Sequence, residues 1–254
     1  MCLILIAYQV SDTYPLLVAA NRDEFHARPT APAAFWDDYP HVFAGRDLQA
    51  GGTWMGVSRD GRFAAITNYR DPQRTLPAPR SRGELTTHYL AGNLDAETYL
   101  LEVASSADAY AGFNLLLGEA GELWYLSSSS RDAAPRRLSP GVYGLSNASL
   151  DTPWPKVVRG KQVLQNKIAG VPSHDGLASV VSSRALASRS QLQGVGLDGE
   201  MDELLSAQFI VNETYGTRAT TTLWQDARGN IQWRETGFSP DGEPAAVIDQ
   251  TLKI

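Results

Sequence analysis

Apolar residues run without a break over residues 3–8 and again over 16–20, and the polar stretch from Gln9 to Thr13 separates them. Runs this short and this rich in Leu, Ile and Val predict strands rather than a membrane span. Residues 2–9 and 15–20 therefore form a predicted hairpin, with Pro15 at a strand start, where a missing N–H is tolerated. Asn21-Arg22-Asp23-Glu24 follows at once, four polar residues where the second strand is expected to end, and then a proline-rich irregular stretch from Arg28 to Pro40. Alternation returns at 42–46, 52–58 and 62–69, with Gly51-Gly52 and Asp60-Gly61 as turns. From Ser81 the spacing becomes helical: Leu85, Tyr89, Leu90 and Leu94, then Tyr99, Leu100, Val103 and Ala104, predict two helices between 81 and 108. Strands are predicted again at 112–118, 122–128 and 141–146. Pro153-Trp154-Pro155 opens a helix to about residue 168, since proline is accepted in a first turn. Further helix is predicted at 174–187 and 200–207, and a last hairpin at 217–225 and 230–237. The Pro/Arg-rich run from Arg70 to Arg82 is read as an exposed loop.

Hairpins interleaved with helical blocks describe an α+β protein whose antiparallel sheets are covered by helices, and a four-layer αββα sandwich satisfies this order. A length of 254 residues suits one domain over 1–254, because layered folds reach this size as a single unit. A hydrophobic content of 43% and a charged content of 20% are globular values. The net charge of −6 is spread without a Lys/Arg block, which argues against nucleic acid or an anionic membrane and for a small-molecule or protein partner. No basic segment precedes the first apolar run, so neither a signal pattern nor a membrane span is read there.

One cysteine, Cys2, is present. A lone cysteine excludes an intramolecular disulfide framework and a Cys-rich zinc site, and fits the reducing cytoplasm. Removal of Met1 would leave a thiol and a free α-amine on one residue. With reference pKa values of about 8.5 and about 8, the amine can take the thiol proton without a histidine. The alternative is that Cys2 is a small core residue at the head of a buried strand. The four histidines, His26, His41, His88 and His174, show no metal-ligand spacing, and no metal is expected. Trp54, like Trp36 and Trp154, is read as core or as lining of a substrate pocket.

Asn21-Arg22-Asp23-Glu24, Gly51-Gly52-Thr53-Trp54-Met55-Gly56, Thr67-Asn68-Tyr69, Ser81-Arg82-Gly83-Glu84-Leu85, and Leu145-Ser146-Asn147 followed by Asp151-Thr152-Pro153-Trp154-Pro155-Lys156 together resemble the NRDE family. It is also called the transport and Golgi organisation protein 2 family, and the resemblance spans nearly the whole chain. It implies an N-terminal-nucleophile hydrolase-like fold and proposals ranging from haem trafficking to acyl-CoA or lipid handling. More distantly the chain is similar to the choloylglycine hydrolase and penicillin V acylase group, which implies Cys2 as nucleophile with Asp23, Asn68, Asn147 and Arg218. That group carries its first arginine three residues before the aspartate, where this chain has Ala20, and Arg22 adjoins Asp23 instead.

The residue chemistry is compatible with these roles. Asparagine amides can donate to an oxyanion, Asp23 can orient the amino end and hold a proton, and Arg22 and Arg218 can favour a thiolate or hold an anionic ligand. Each residue also has a plain reading: the asparagines as turn formers, Arg22 and Asp23 as a structural ion pair. The function expected is an N-terminal cysteine hydrolase cleaving a small-molecule amide without a cofactor. The alternative is a binding protein on the same fold that carries haem or an acyl-CoA-like ligand.

Overall fold

The computed structural model describes residues 2–70, 78–129 and 134–254. Along the chain lie β1 (Cys2–Tyr8), β2 (Leu16–Phe25), β3 (Thr30–Phe35), β4 (Val42–Asp47), β5 (Met55–Ser58), β6 (Phe63–Asn68), α1 (Gly83–Ala91) and α2 (Ala96–Ser105). They are followed by β7 (Phe113–Glu119), β8 (Glu122–Ser127), β9 (Arg136–Arg137), β10 (Gly141–Leu145), α3 (Pro155–Gln165), α4 (His174–Ala178), α5 (Arg189–Gln193) and α6 (Glu200–Leu205). Then come β11 (Tyr215–Gln225), β12 (Ile231–Phe238) and β13 (Pro244–Leu252). The chain divides into two compact units. The first takes Met1–Ala27, Pro140–Ser146 and Leu150–Thr251, and the second Arg28–Ser139, Asn147–Ser149 and Leu252–Ile254.

The first unit is built on a six-stranded antiparallel sheet in the order β10-β1-β2-β11-β12-β13. The uninterrupted apolar run of β1 is explained by its central place: Leu3, Ile4, Leu5 and Ile6 are all essentially inaccessible, so both faces of the strand are covered. Burying four such side chains contributes roughly 6–12 kcal/mol of transfer free energy. Helix α3 packs on β1 and β10, and α4 on β2 and β11. Gly160 of α3 allows the close approach, because a Cβ there would lie 2.2 Å from Cδ1 of Leu5. The second unit is a seven-stranded sheet in the order β3-β4-β5-β6-β7-β8-β9, with α1 and α2 packed on it around Leu85, Tyr89, Leu100 and Phe113.

The α+β class, the first hairpin, the 42–69 meander, the two helices before 108 and the helix after Trp154 stand as predicted. Four expectations are corrected. The Asn21–Glu24 quartet does not terminate a strand; it lies inside β2, which runs on to Phe25. The stretch Arg28–Pro40 contains β3, an edge strand that accommodates Pro32 because its pairing with β4 is irregular between Ala31 and Ala34. The helix predicted over 174–187 stops at Ala178. Val180 and Val181 are buried there among three serines, Ser179, Ser182 and Ser183, whose hydroxyls compete for the backbone, as Ser179 Oγ does on the Gly176 carbonyl. The hairpin ending near 237 is not the last element, since β13 follows and pairs at the sheet edge. The loop expected over 70–82 falls mostly on 71–77, outside the described residues.

Candidate functional site

The register of three strands sets the geometry at the head of the first unit. Cys2 of β1 stands directly opposite Arg22 of β2, and Asp23 stands opposite Thr217 of β11. Opposite residues share a face and neighbours along a strand alternate, so Cys2 and Arg22 lie side by side while Asp23 and Thr217 face the other way. The Thr217 hydroxyl donates to Asp23 Oδ1 at 2.7 Å, and Tyr215 Oη donates to the Asp23 carbonyl at 3.0 Å. The pairing of β2 with β11 shifts register between Thr217 and Ala219, so Arg218 sits in a bulge. Its guanidinium donates to the carbonyls of Phe25, at 3.0 Å, and His26, at 3.2 Å, and fastens the end of β2.

Five charged side chains of this unit are each under a tenth exposed: Arg22 and Asp23 on β2, Lys156 on α3, Asp202 on α6 and Glu235 on β12. Burial pushes the Asp23 carboxyl up to about 6, against the pull of the chain's N-terminal charge, Lys156, the Thr217 hydrogen bond and Arg22. The Cys2 residue is half-buried. Burial and the Asp23 charge raise its pKa, while the N-terminal charge, Arg22 and a hydrogen bond from the Asp23 backbone oppose them. Ser146 Oγ donates to the Cys2 carbonyl at 2.8 Å and holds the head of β1.

A buried polar network backs these strands. Asn21, wholly inaccessible, donates through Nδ2 to the carbonyls of Val181 at 2.8 Å and Gln208 at 2.7 Å, and accepts from Thr220 Oγ1 at 2.7 Å. Gln208 Nε2 in turn donates to the Lys156 carbonyl at 3.0 Å, and Lys156 Nζ donates to the Leu205 carbonyl at 2.9 Å. Polar residues thus continue β2 into the interior because each finds a partner there. The expected set had no place for Asn21, Thr217, Gln208 or Lys156. Lys156 was nonetheless legible: with Val157, Gly160 and Leu164 it falls on the one buried stripe of α3.

The second unit holds the other predicted residues. Asn68, exposed at the end of β6, offers its carbonyl to Asn147 Nδ2 at 2.9 Å, and Arg70 N–H donates to the Asn147 carbonyl at 2.9 Å. The two asparagines are therefore together, with one Asn147 amide hydrogen taken up by Asn68. Asn114, which sequence reasoning also passed over, fixes this corner by donating to Thr67 Oγ1 at 3.1 Å and the Ala148 carbonyl at 3.0 Å. Trp54 is partly buried against this unit's core. Among the described residues, no group of three His, Cys, Asp or Glu side chains is placed to hold a metal. None of the helices described is long and apolar enough to cross a membrane.

The family model described as Transport and Golgi organisation 2 matches residues 1–240. The chain belongs to the Transport and Golgi organisation 2 family. Among relatives of this family, the Transport and Golgi organization 2 homolog of Mus musculus is 34% identical over 258 residues, 92% of each chain. The Homo sapiens homolog is 34% identical over 256 residues, again 92% of each chain. Among solved structures, a mutant conjugated bile acid hydrolase from Clostridium perfringens is similar with a TM-score of 0.53 at 9% identity, covering 98% of this chain and 96% of that one. At that identity the likeness shows the fold alone. This member of the Transport and Golgi organisation 2 family has the N-terminal-nucleophile hydrolase-like α+β fold that the order of its elements and the resemblance imply.

Proposed function

We propose that this chain is an N-terminal cysteine hydrolase that cleaves the C–N bond of a small-molecule amide once Met1 has been removed. The observation that carries the reading is the placement of the lone cysteine at the head of β1, directly across from the buried Arg22 and under the influence of Asp23 and the N-terminal charge. In the processed chain the Cys2 α-amine takes the thiol proton, and the thiolate attacks the amide carbonyl carbon to form a C–S bond. Collapse of the tetrahedral adduct breaks the C–N bond, and the proton held on the amine leaves with the amine product. Water then hydrolyses the thioester, releasing the acid and restoring the thiol. Asp23 is mostly ionised above pH 6 and holds the protonated amino end during the cycle. Arg22 favours the thiolate, and its fork suits an amide that also carries a carboxylate or phosphate. Asn68 and Asn147 are the candidates for oxyanion donors that the resemblance implies. A catalytic free thiol suits a reducing compartment such as the cytoplasm.

A panel of neutral and anionic N-acyl amides, assayed with the processed protein and its Cys2→Ala and Cys2→Ser variants, tests the reading. Turnover abolished in Cys2→Ala is the expected result, since alanine has no nucleophile. Turnover that persists in Cys2→Ala removes the mechanism. Absence of turnover across the panel, with a Soret shift on titration with haem, replaces it with the carrier reading.

A further inference from the structure

The ladder between β2 and β11 is even from Leu16–Gln225 to Arg22–Ala219. Continued evenly, it would set Arg218 opposite Asp23. The bulge takes Arg218 as its extra residue and brings Thr217 opposite Asp23 instead. The exchange matters chemically, because a guanidinium facing a buried carboxylate forms a forked ion pair that occupies both oxygens. Thr217 gives a single hydrogen bond, to Oδ1, while Arg218 donates to the carbonyls of Phe25 and His26. A neutral donor thus stands where the even ladder would place a cation.

A hydroxyl carries one proton, and here its direction is set. Ile210 N–H donates to Thr217 Oγ1 at 2.9 Å, and Thr217 N–H donates back to the Ile210 carbonyl at 2.9 Å. With an amide hydrogen on the oxygen's lone pair, the Thr217 proton is directed at Asp23 Oδ1, 2.7 Å away. Ile210, Thr217 and Asp23 are all buried, so the relay runs inside the protein. Gly216 admits the close approach of this segment, since a Cβ there would lie 2.8 Å from the Ile210 carbonyl oxygen. We propose that Thr217 is a positioning residue for the Cys2 chemistry: a one-way donor, set by the Arg218 bulge and by Ile210, that holds the Asp23 carboxyl in one orientation and favours its ionised form. Its purpose rests on the hydrolase reading, whereas the chain of hydrogen bonds does not. The bond to Oδ1 is charge-assisted when Asp23 is ionised and an ordinary one when it is protonated, so Thr217 favours the state able to hold an ammonium. The amino end, whose charge also acts on Asp23, then meets a carboxylate already fixed in place.

The test is the carboxyl ¹³C titration of Asp23 in the unaltered protein, in Thr217→Val, which keeps the shape and removes the hydroxyl, and in Thr217→Ser, which keeps the hydroxyl. The midpoint, about 6 in the unaltered protein, is expected to rise by about one pH unit in Thr217→Val, so that the ionised fraction at pH 7 falls from about nine-tenths to about one-half. Thr217→Ser is expected to keep the original midpoint. The charges that also act on Asp23, the amino end, Lys156 on α3 and Arg22 on β2, are present in all three proteins, so the difference isolates the hydroxyl. An unchanged midpoint in folded Thr217→Val, or an equal rise in Thr217→Ser, overturns the proposal. If Thr217→Val does not fold, the Ile210 amide proton of the unaltered chain is followed from pH 4 to pH 8. It is expected to titrate with the Asp23 midpoint, because ionisation polarises the hydroxyl the two groups share; an Ile210 amide indifferent to pH over this range overturns the proposal. None of these readouts needs turnover, so a failed amide panel and a failed positioning role are distinguishable. For a cleaved amide, kcat below pH 6 falls about tenfold in Thr217→Val as its acid limb moves up with the Asp23 midpoint, KM is unchanged, and Thr217→Ser restores the profile. A loss of kcat equal at every pH is the mark of a merely structural threonine and overturns the role.

Discussion

Asp23→Asn should change how stability depends on pH, and the direction follows from burial. Asp23 is 2% exposed and its carboxyl is pushed from 3.8 to about 6. Below 3.8 the folded and unfolded states both hold the proton. Between 3.8 and about 6 the folded state keeps it while the unfolded chain gives it up, so stability falls as pH rises through this window and levels off above it. At about 1.4 kcal/mol for each pH unit, the ionised carboxylate costs the folded state about 3 kcal/mol at neutral pH. Asparagine has nearly the same shape, can still accept from Thr217, and carries no charge to bury. Urea unfolding of both proteins at intervals from pH 3 to pH 8 gives the difference in stability, from which the titrations of the other groups largely cancel. The unaltered protein minus Asp23→Asn should decline by about 3 kcal/mol between pH 4 and pH 6.5 and be flat on either side. A difference that is flat throughout, or that rises with pH, refutes the claim that the site stores an unfavourably buried carboxylate. The neutral variant should gain stability at pH 7 while losing any Cys2-dependent turnover, the trade expected where an active site is held in strain.

Asn21→Ala removes two amide donations to buried carbonyls and the acceptor of Thr220. It should lower stability by about 2–4 kcal/mol in urea unfolding, since buried groups lose their partners; a loss below 0.5 kcal/mol contradicts the network. Gly160→Ala places a Cβ 2.2 Å from Leu5 Cδ1 and 2.8 Å from Gln208 Nε2. The forced shift of α3 should cost about 1–3 kcal/mol in a thermal melt, and an equal or higher Tm would contradict the close packing.

The sequence made most of the fold legible where packing and periodicity agree. The run Leu3–Tyr8 reads as a strand covered on both faces and is one, and Leu85, Tyr89 and Leu90 read as a helix face and pack as one. It misled where polar residues are buried. Asn21, Arg22 and Asp23 look like a strand end because isolated polar side chains leave the core, and they stay in β2, where the partners of Asn21 and Asp23 come from residues 181 to 220, far away in sequence. No local pattern contains that information. The residues of β13 are mostly exposed and begin with Pro244, so an edge strand had little hydrophobic signal to show. For the site, composition singled out Cys2 and the resemblance supplied Asp23, Arg218, Asn68 and Asn147. The structure adds that Arg22, not an upstream arginine, stands across from Cys2, and that Arg218 spends donors on the end of β2.

The account turns on Cys2 being an exposed-amine nucleophile. Intact-mass spectrometry of the purified protein, before and after incubation with an activated N-acyl amide or thioester probe, tests this directly. The predicted spectrum shows a chain lacking Met1 that gains one acyl group, with no gain in Cys2→Ala. A dominant species that retains Met1, or acylation that persists in Cys2→Ala, would contradict the account.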